Sequence, residues 1–118
     1  MLFTQKTSLV LLLSIFTASA IAQKAPVRDE FFWLGQMNKA TAVINTDEGL
    51  LERGKSAKIA AGIAKVINDG GLPDGKRPST VISFEPLLIR EGGQDMTLLH
   101  AGRSSQDMHA TYRAAIMR

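Results

Sequence analysis

No cysteine occurs among the 118 residues of this chain, which removes disulfides, thiolate nucleophiles and sulfur-ligated metals from consideration. Aromatic side chains are few, with one tryptophan and one tyrosine, and no block of lysine or arginine interrupts the text. A nucleic-acid partner is therefore not expected, because that footprint needs clustered cations and rings for stacking. The longest apolar run, Ser8 to Phe16, is shorter than the roughly 20 residues that a bilayer span requires. Internal repeats and low-complexity tracts are absent as well.

What is present begins with an export signal. Lys6 precedes the apolar run, and small residues follow it as Ala18-Ser19-Ala20 and Ala20-Ile21-Ala22. A positive start, a short apolar core and small-residue steps form a secretory signal peptide over residues 1–22, with cleavage after Ala22, or alternatively after Ala20. Losing Lys6, the one charged side chain in that segment, takes the formal charge from +3 to +2. The mature chain, residues 23–118, is then expected to be exported, to the periplasm or beyond, with no stable membrane anchor.

The mature chain reads as mainly α. Asp29-Glu30 suits the positive end of a helix dipole. Phe32, Trp33, Gln36-Met37, Ala40 and Ile44 then recur at spacings of three and four, predicting one buried face. Asn45 to Gly49 breaks the pattern, and Leu50-Leu51 is expected to bridge to the next helix, Lys55 to Asn68. There Ile59, Gly62-Ile63 and Val66-Ile67 form a stripe, closed by Asp69-Gly70-Gly71. After the loop GGLPDGKRPS, Ser79 to Arg90 is ambiguous: TVISF favours a strand, FEPLLIREGG a helix, and Pro86 weakens an uninterrupted helix there. The reading here is a turn followed by a helix. A last helix is predicted from Gln106, with Met108, Tyr112, Ala115 and Ile116 on one face.

Two motifs invite chemistry and do not sustain it. Gly70 to Lys76 spells G-x-x-x-x-G-K, but Arg77 replaces the Ser or Thr that would hold magnesium, and a helix rather than a strand precedes it. His100 and His109 lack the H-E-x-x-H spacing of a metal pair. No metal and no cofactor is expected.

The segment from His100 to Asp107, HAGRSSQD, is more informative. Ser104-x-x-Asp107 ahead of a periodic run is a capping-box variant. Arg103 is anomalous, because a cation beside a helix N-terminus meets the dipole with the wrong sign. Free amides, two hydroxyls, a carboxamide and a guanidinium together suit a bound carboxylate or phosphate. The same segment resembles the H-T-G-R-S-R-N-D stretch of argininosuccinate lyases, in the fumarase/aspartase superfamily. Asp29 to Ile44 resembles that family's first long lyase helix, Gly49-Leu50-Leu51 its glycine turn and Lys55 to Asp69 the helix that follows. Glu85 and Leu88 fall where the family has E-x-x-L.

The resemblance implies the N-terminal helical part of a homotetrameric carbon–nitrogen lyase. Such an enzyme eliminates an amine or guanidine from an N-substituted aspartate or succinyl substrate and releases fumarate or a related unsaturated acid. By that resemblance the substrate-binding residues are Arg103, Ser104 and Gln106, acting on a small carboxylate. Ser105 stands in place of the family's second arginine and Gln106 in place of its asparagine, which points away from argininosuccinate itself. No residue of this chain is assigned catalysis, because the family's acid/base histidine and flexible-loop serine lie in later segments. The last helical pattern runs into Arg118, so the chain is expected to be an inactive fragment of such an enzyme. The alternative is a small exported helical protein that acts by binding or interaction.

Overall fold

A computed structural model describes residues 26–118, so the expected signal peptide and its cleavage site lie outside the described residues. The described chain is mainly helical, with no strand. It runs α1 (Glu30–Asp47), α2 (Arg53–Gly70), α3 (Val81–Gly92), a 3-10 helix (Gln94–His100) and α4 (Ser105–Ile116). No described helix is long and apolar enough to cross a membrane.

Local chemistry sets most of these boundaries. Asp29 caps α1 by accepting the Phe32 amide at 3.0 Å. The helix gives way at Gly49, whose φ of +76° turns the chain towards α2. Leu51 then enters the core while Leu50 stays 61% exposed, so only one of the two leucines bridges the helices. Thr80 and Ser83 form a reciprocal capping box that starts α3. That cap explains why the chain is helical from Val81 onward despite the β-branched Val81 and Ile82. Pro86 lies on the exposed side of α3, where water can replace the hydrogen bond it removes. In the 3-10 helix, three residues per turn place Met96 and Leu99 on one side, and both are buried.

The core is shared by all five helices. Phe31 and Leu34 of α1 meet Ile59, Ile63 and Val66 of α2 and Phe84 and Leu88 of α3. Met96, Leu99 and Met108 complete it. The rings of Phe31 and Phe84 pack 5.3 Å apart at a tilt of 44°. Where α2 crosses the end of α3, a methyl on Gly62 would sit 3.1 Å from the Gly92 Cα, so the missing side chain permits the approach. The predicted α2 stripe is the buried one.

The predicted face of α1 is not. Its buried residues are Phe31, Leu34, Gly35, Asn38, Ala42 and Asn45, while Ile44 is 58% exposed and Ala40 lies outside. Apolar residues surround α1 on several sides, so periodicity alone selects no face and the neighbouring helices decide. They also select two asparagines, which hydropathy would have kept at the surface.

Candidate functional site

The segment His100–Asp107 joins the 3-10 helix to α4 and is fixed at both ends. The Arg103 amide donates to the His100 carbonyl at 3.0 Å, closing a turn in which Gly102 has a φ of +73°. A side chain at Gly102 would be strained in that left-handed conformation, which accounts for the glycine. Ser104 is the N-cap of α4. Its hydroxyl accepts the Asp107 amide at 3.2 Å, and the Asp107 carboxylate accepts both the amide and the hydroxyl of Ser104 at 2.8 Å. The predicted box is therefore present. Those bonds hold the Asp107 carboxyl below its usual pKa, the Ser104 backbone bond contributing most.

Arg103 resolves the anomaly in its placement by turning away from the helix end. Its guanidinium donates to Thr41 Oγ1 at 2.7 Å and to Asn38 Oδ1 at 2.9 Å, both on α1. Asn38 is 2% exposed and is oriented by donating its own amide to the Leu34 carbonyl at 2.9 Å. Burial pushes the Arg103 pKa down, and the Glu85 carboxylate pulls it back up. Arginine's ordinary pKa is high enough that the group stays charged. Arg103 Nε is buried with no protein partner.

A second tie lies one helical turn along α1, where Asn45 donates to the Ala101 carbonyl at 3.4 Å. Residues 38, 41 and 45 follow the three-and-four spacing of one helix face, so α1 presents a polar seam to which the loop is stapled. Sequence reading missed all three residues. Their signal was visible as two asparagines and a threonine in register within an otherwise apolar helix.

Glu85 and His100 form a neighbouring pair, with the imidazole Nε2 2.8 Å from a Glu85 oxygen. A carboxylate only accepts, so Nε2 carries the hydrogen. The pair ties the 3-10 helix to α3, while Leu88, the other residue of the E-x-x-L stretch, is core. His109 lies exposed on α4, apart from this pair. Arg77, the departure from the phosphate-loop pattern, clamps the loop after α2. It donates to both oxygens of Asp29, at 2.8 and 2.6 Å, and to the Gly70 carbonyl at 2.8 Å. It also lies 4.5 Å over the Phe31 ring.

The three predicted binding residues are therefore not gathered around one space. Ser104 and Gln106 are exposed, whereas the guanidinium of Arg103 lies against α1. The cavity that Arg103 shares with Asn38, Glu85 and His100 has a volume of about 10 Å³, room for about one water and not for a dicarboxylate. On its other side Arg103 borders a shallow groove of about 170 Å³ with Thr41, Ile44, Asp107 and Thr111. Neither space is lined by Ser104 or Gln106. Comparisons with protein-family models, with curated proteins and with solved structures return no match to this chain.

Proposed function

We propose that this chain is the loop-bearing N-terminal segment of an argininosuccinate-lyase-like enzyme, exported by its leader. The whole enzyme eliminates an amine or guanidine from an N-succinyl substrate. One observation carries the reading: the loop matching the family's substrate segment is held rigidly from beneath, with Ser105 and Gln106 exposed at the N-terminus of α4. Their first-turn amides carry the positive end of the helix dipole, and the Gln106 carboxamide adds a donor, so together they suit a carboxylate. Arg103 then acts as a positioning residue that sets the loop on α1. This narrows the substrate contacts to Gln106, the early amides of α4 and, after release from Asp107, the Ser104 hydroxyl. In an elimination, donors placed on the substrate carboxylate stabilise the charge that develops there as the carbon-bound proton leaves. In the family that the loop resembles, the proton-transfer groups lie in segments other than those matched here, so no residue of this chain is assigned catalysis.

The test is the sequence downstream of Arg118 and the activity of its product. The lyase reading requires a later serine-bearing loop and release of an unsaturated acid from an N-succinyl amine, followed by ultraviolet absorbance. Failure with every such substrate refutes it. A second reading, a helical interaction protein, draws on Asp107, which already places a carboxylate at the α4 terminus. That reading requires no later catalytic segment and no elimination.

A further inference from the structure

α1 and α2 are joined by the short turn 48–52 and lie side by side as an antiparallel hairpin. Along its outer side runs an open groove of about 530 Å³, lined by Lys39, Ala42, Val43 and Asp47 of α1 and by Ala57 and Ala60 of α2. Val43 is 60% exposed there, and the alanines leave room for a close approach. Lys39 and Asp47 are both exposed, and among the described residues neither takes part in an ion pair. Lys39, Val43 and Asp47 succeed one another at intervals of four along one ridge. The two charges are thus separated by roughly 12 Å of helix rise, with Val43 midway.

We propose that this groove is the contact between two copies of the chain, related by a two-fold axis that passes beside Val43. An antiparallel copy of α1 centred there sets Lys39 of one chain against Asp47 of the other, and Asp47 against Lys39, so both charges are matched by one symmetry operation. The apolar strip between them is covered in the same step. Two helical hairpins joined in this way form a four-helix bundle, in which small residues permit interaxial distances of about 8–10 Å. The exposed ion pairs fix register and direction, and burial of the Val43–alanine strip supplies the affinity. The proposal concerns a face remote in sequence from the loop at 100–107 and stands or falls independently of the lyase reading.

Sedimentation equilibrium on the full chain and its variants, with circular dichroism as the check on folding, tests it. The unaltered chain is expected to dimerise. Val43→Lys should raise the dimer dissociation constant by more than about a hundredfold, because it buries two unpaired cations at the axis. Lys39→Asp leaves only carboxylates on the ridge and Asp47→Lys leaves only ammonium groups. Each should therefore self-associate more weakly than the original, yet the two should pair with each other when mixed. The doubly reversed Lys39→Asp/Asp47→Lys chain should dimerise like the original. A monomeric unaltered chain overturns the proposal and gives the groove to a different occupant. Single variants that self-associate as well as the original, or a mixture that fails to pair, overturn it equally. All three side chains are exposed, so the helical signal should not change.

Discussion

Replacing Asn38 with alanine should destabilise the chain out of proportion to the atoms removed. The Asn38 Oδ1 accepts from the charged Arg103 guanidinium at 2.9 Å in a setting where Asn38 is 2% exposed. A hydrogen bond to a charged group contributes about 1.5–3 kcal/mol, and the guanidinium donor left behind loses its protein partner in a half-buried setting. The expected loss is about 2–3 kcal/mol, a fall in Tm on the order of 10 °C or more for a domain of this size. Arg103→Met should cost a similar amount, because it strands Asn38 Oδ1 and Thr41 Oγ1 together. If the contact is the cause, the double variant costs less than the sum, with a coupling of about 1–3 kcal/mol. Arg103→Lys should fall between, since one ammonium does not reproduce a fork that serves two acceptors. Urea midpoints at constant m-value give all four corners of the cycle. Additivity within about 0.5 kcal/mol would show that Arg103 does not lean on Asn38 and would remove the clamp from the account. Asn45→Ala provides an internal scale: its bond to Ala101 is 3.4 Å long and should be worth less.

Three further outcomes follow from the packing and the caps. Phe84→Ala, at a 1% exposed position against Phe31, should cost about 3–5 kcal/mol in urea unfolding. Glycine replacements should differ in sign. Gly70→Ala places a methyl inside the Phe31 ring and should destabilise by about 1–3 kcal/mol, whereas Gly54→Ala meets nothing nearer than 3.8 Å and should stabilise by about 0.4–1 kcal/mol. Asp29 is held below the usual carboxylate range, first by its hydrogen bond from Arg77 and further by the Phe32 amide. A depressed carboxyl contributes stability that is present above its unfolded pKa and lost as pH falls through the folded one. Asp29→Asn should therefore be less stable than the original near neutrality; in urea titrations the gap should begin to narrow as the pH falls below the ordinary aspartate pKa of about 3.9 and close only below the lowered folded pKa. A gap that persists in acid would mean that charge is not the cause.

How far the sequence reveals this fold depends on where each element finds its information. α2 carries its answer internally, since Ile59, Ile63 and Val66 are separated by polar or small residues and only one face is apolar. The Ser104–Asp107 box is equally local, and α4 starts one residue before the predicted Gln106. α3 required its cap to be recognised, because Val81 and Ile82 favour a strand and only the Thr80–Ser83 box tips the segment towards helix. For α1 the information is not local. Phe31, Phe32, Trp33 and Leu34 are consecutive, so no stripe is defined until α2 and α3 take the side bearing Phe31 and Leu34. The asparagine seam then follows from the same rotation, and with it the partners of Arg103, more than 60 residues away in sequence.

That distance changes what Arg103 can mean. Read locally, a guanidinium at a helix N-terminus calls for an anion, because the dipole repels it. Read in three dimensions, the side chain reaches past the helix end to neutral acceptors on α1, and Glu85 supplies the nearby negative charge. The argument that Arg103 itself grips a substrate is thereby replaced by a different one. Its buried attachment sets the position of Gly102 and of the α4 cap, and the amides of Ser105 and Gln106 inherit that placement. A loop held this way does not have to be ordered when a ligand arrives, so a carboxylate binding there would avoid the entropic cost of fixing it. If the loop takes the carboxylate proposed above, disturbing Asn38 or Thr41 should weaken that binding at Gln106 without touching the ligand. A direct-contact role for Arg103 predicts a different pattern, in which removing the guanidinium weakens binding far more than removing either of its partners on α1.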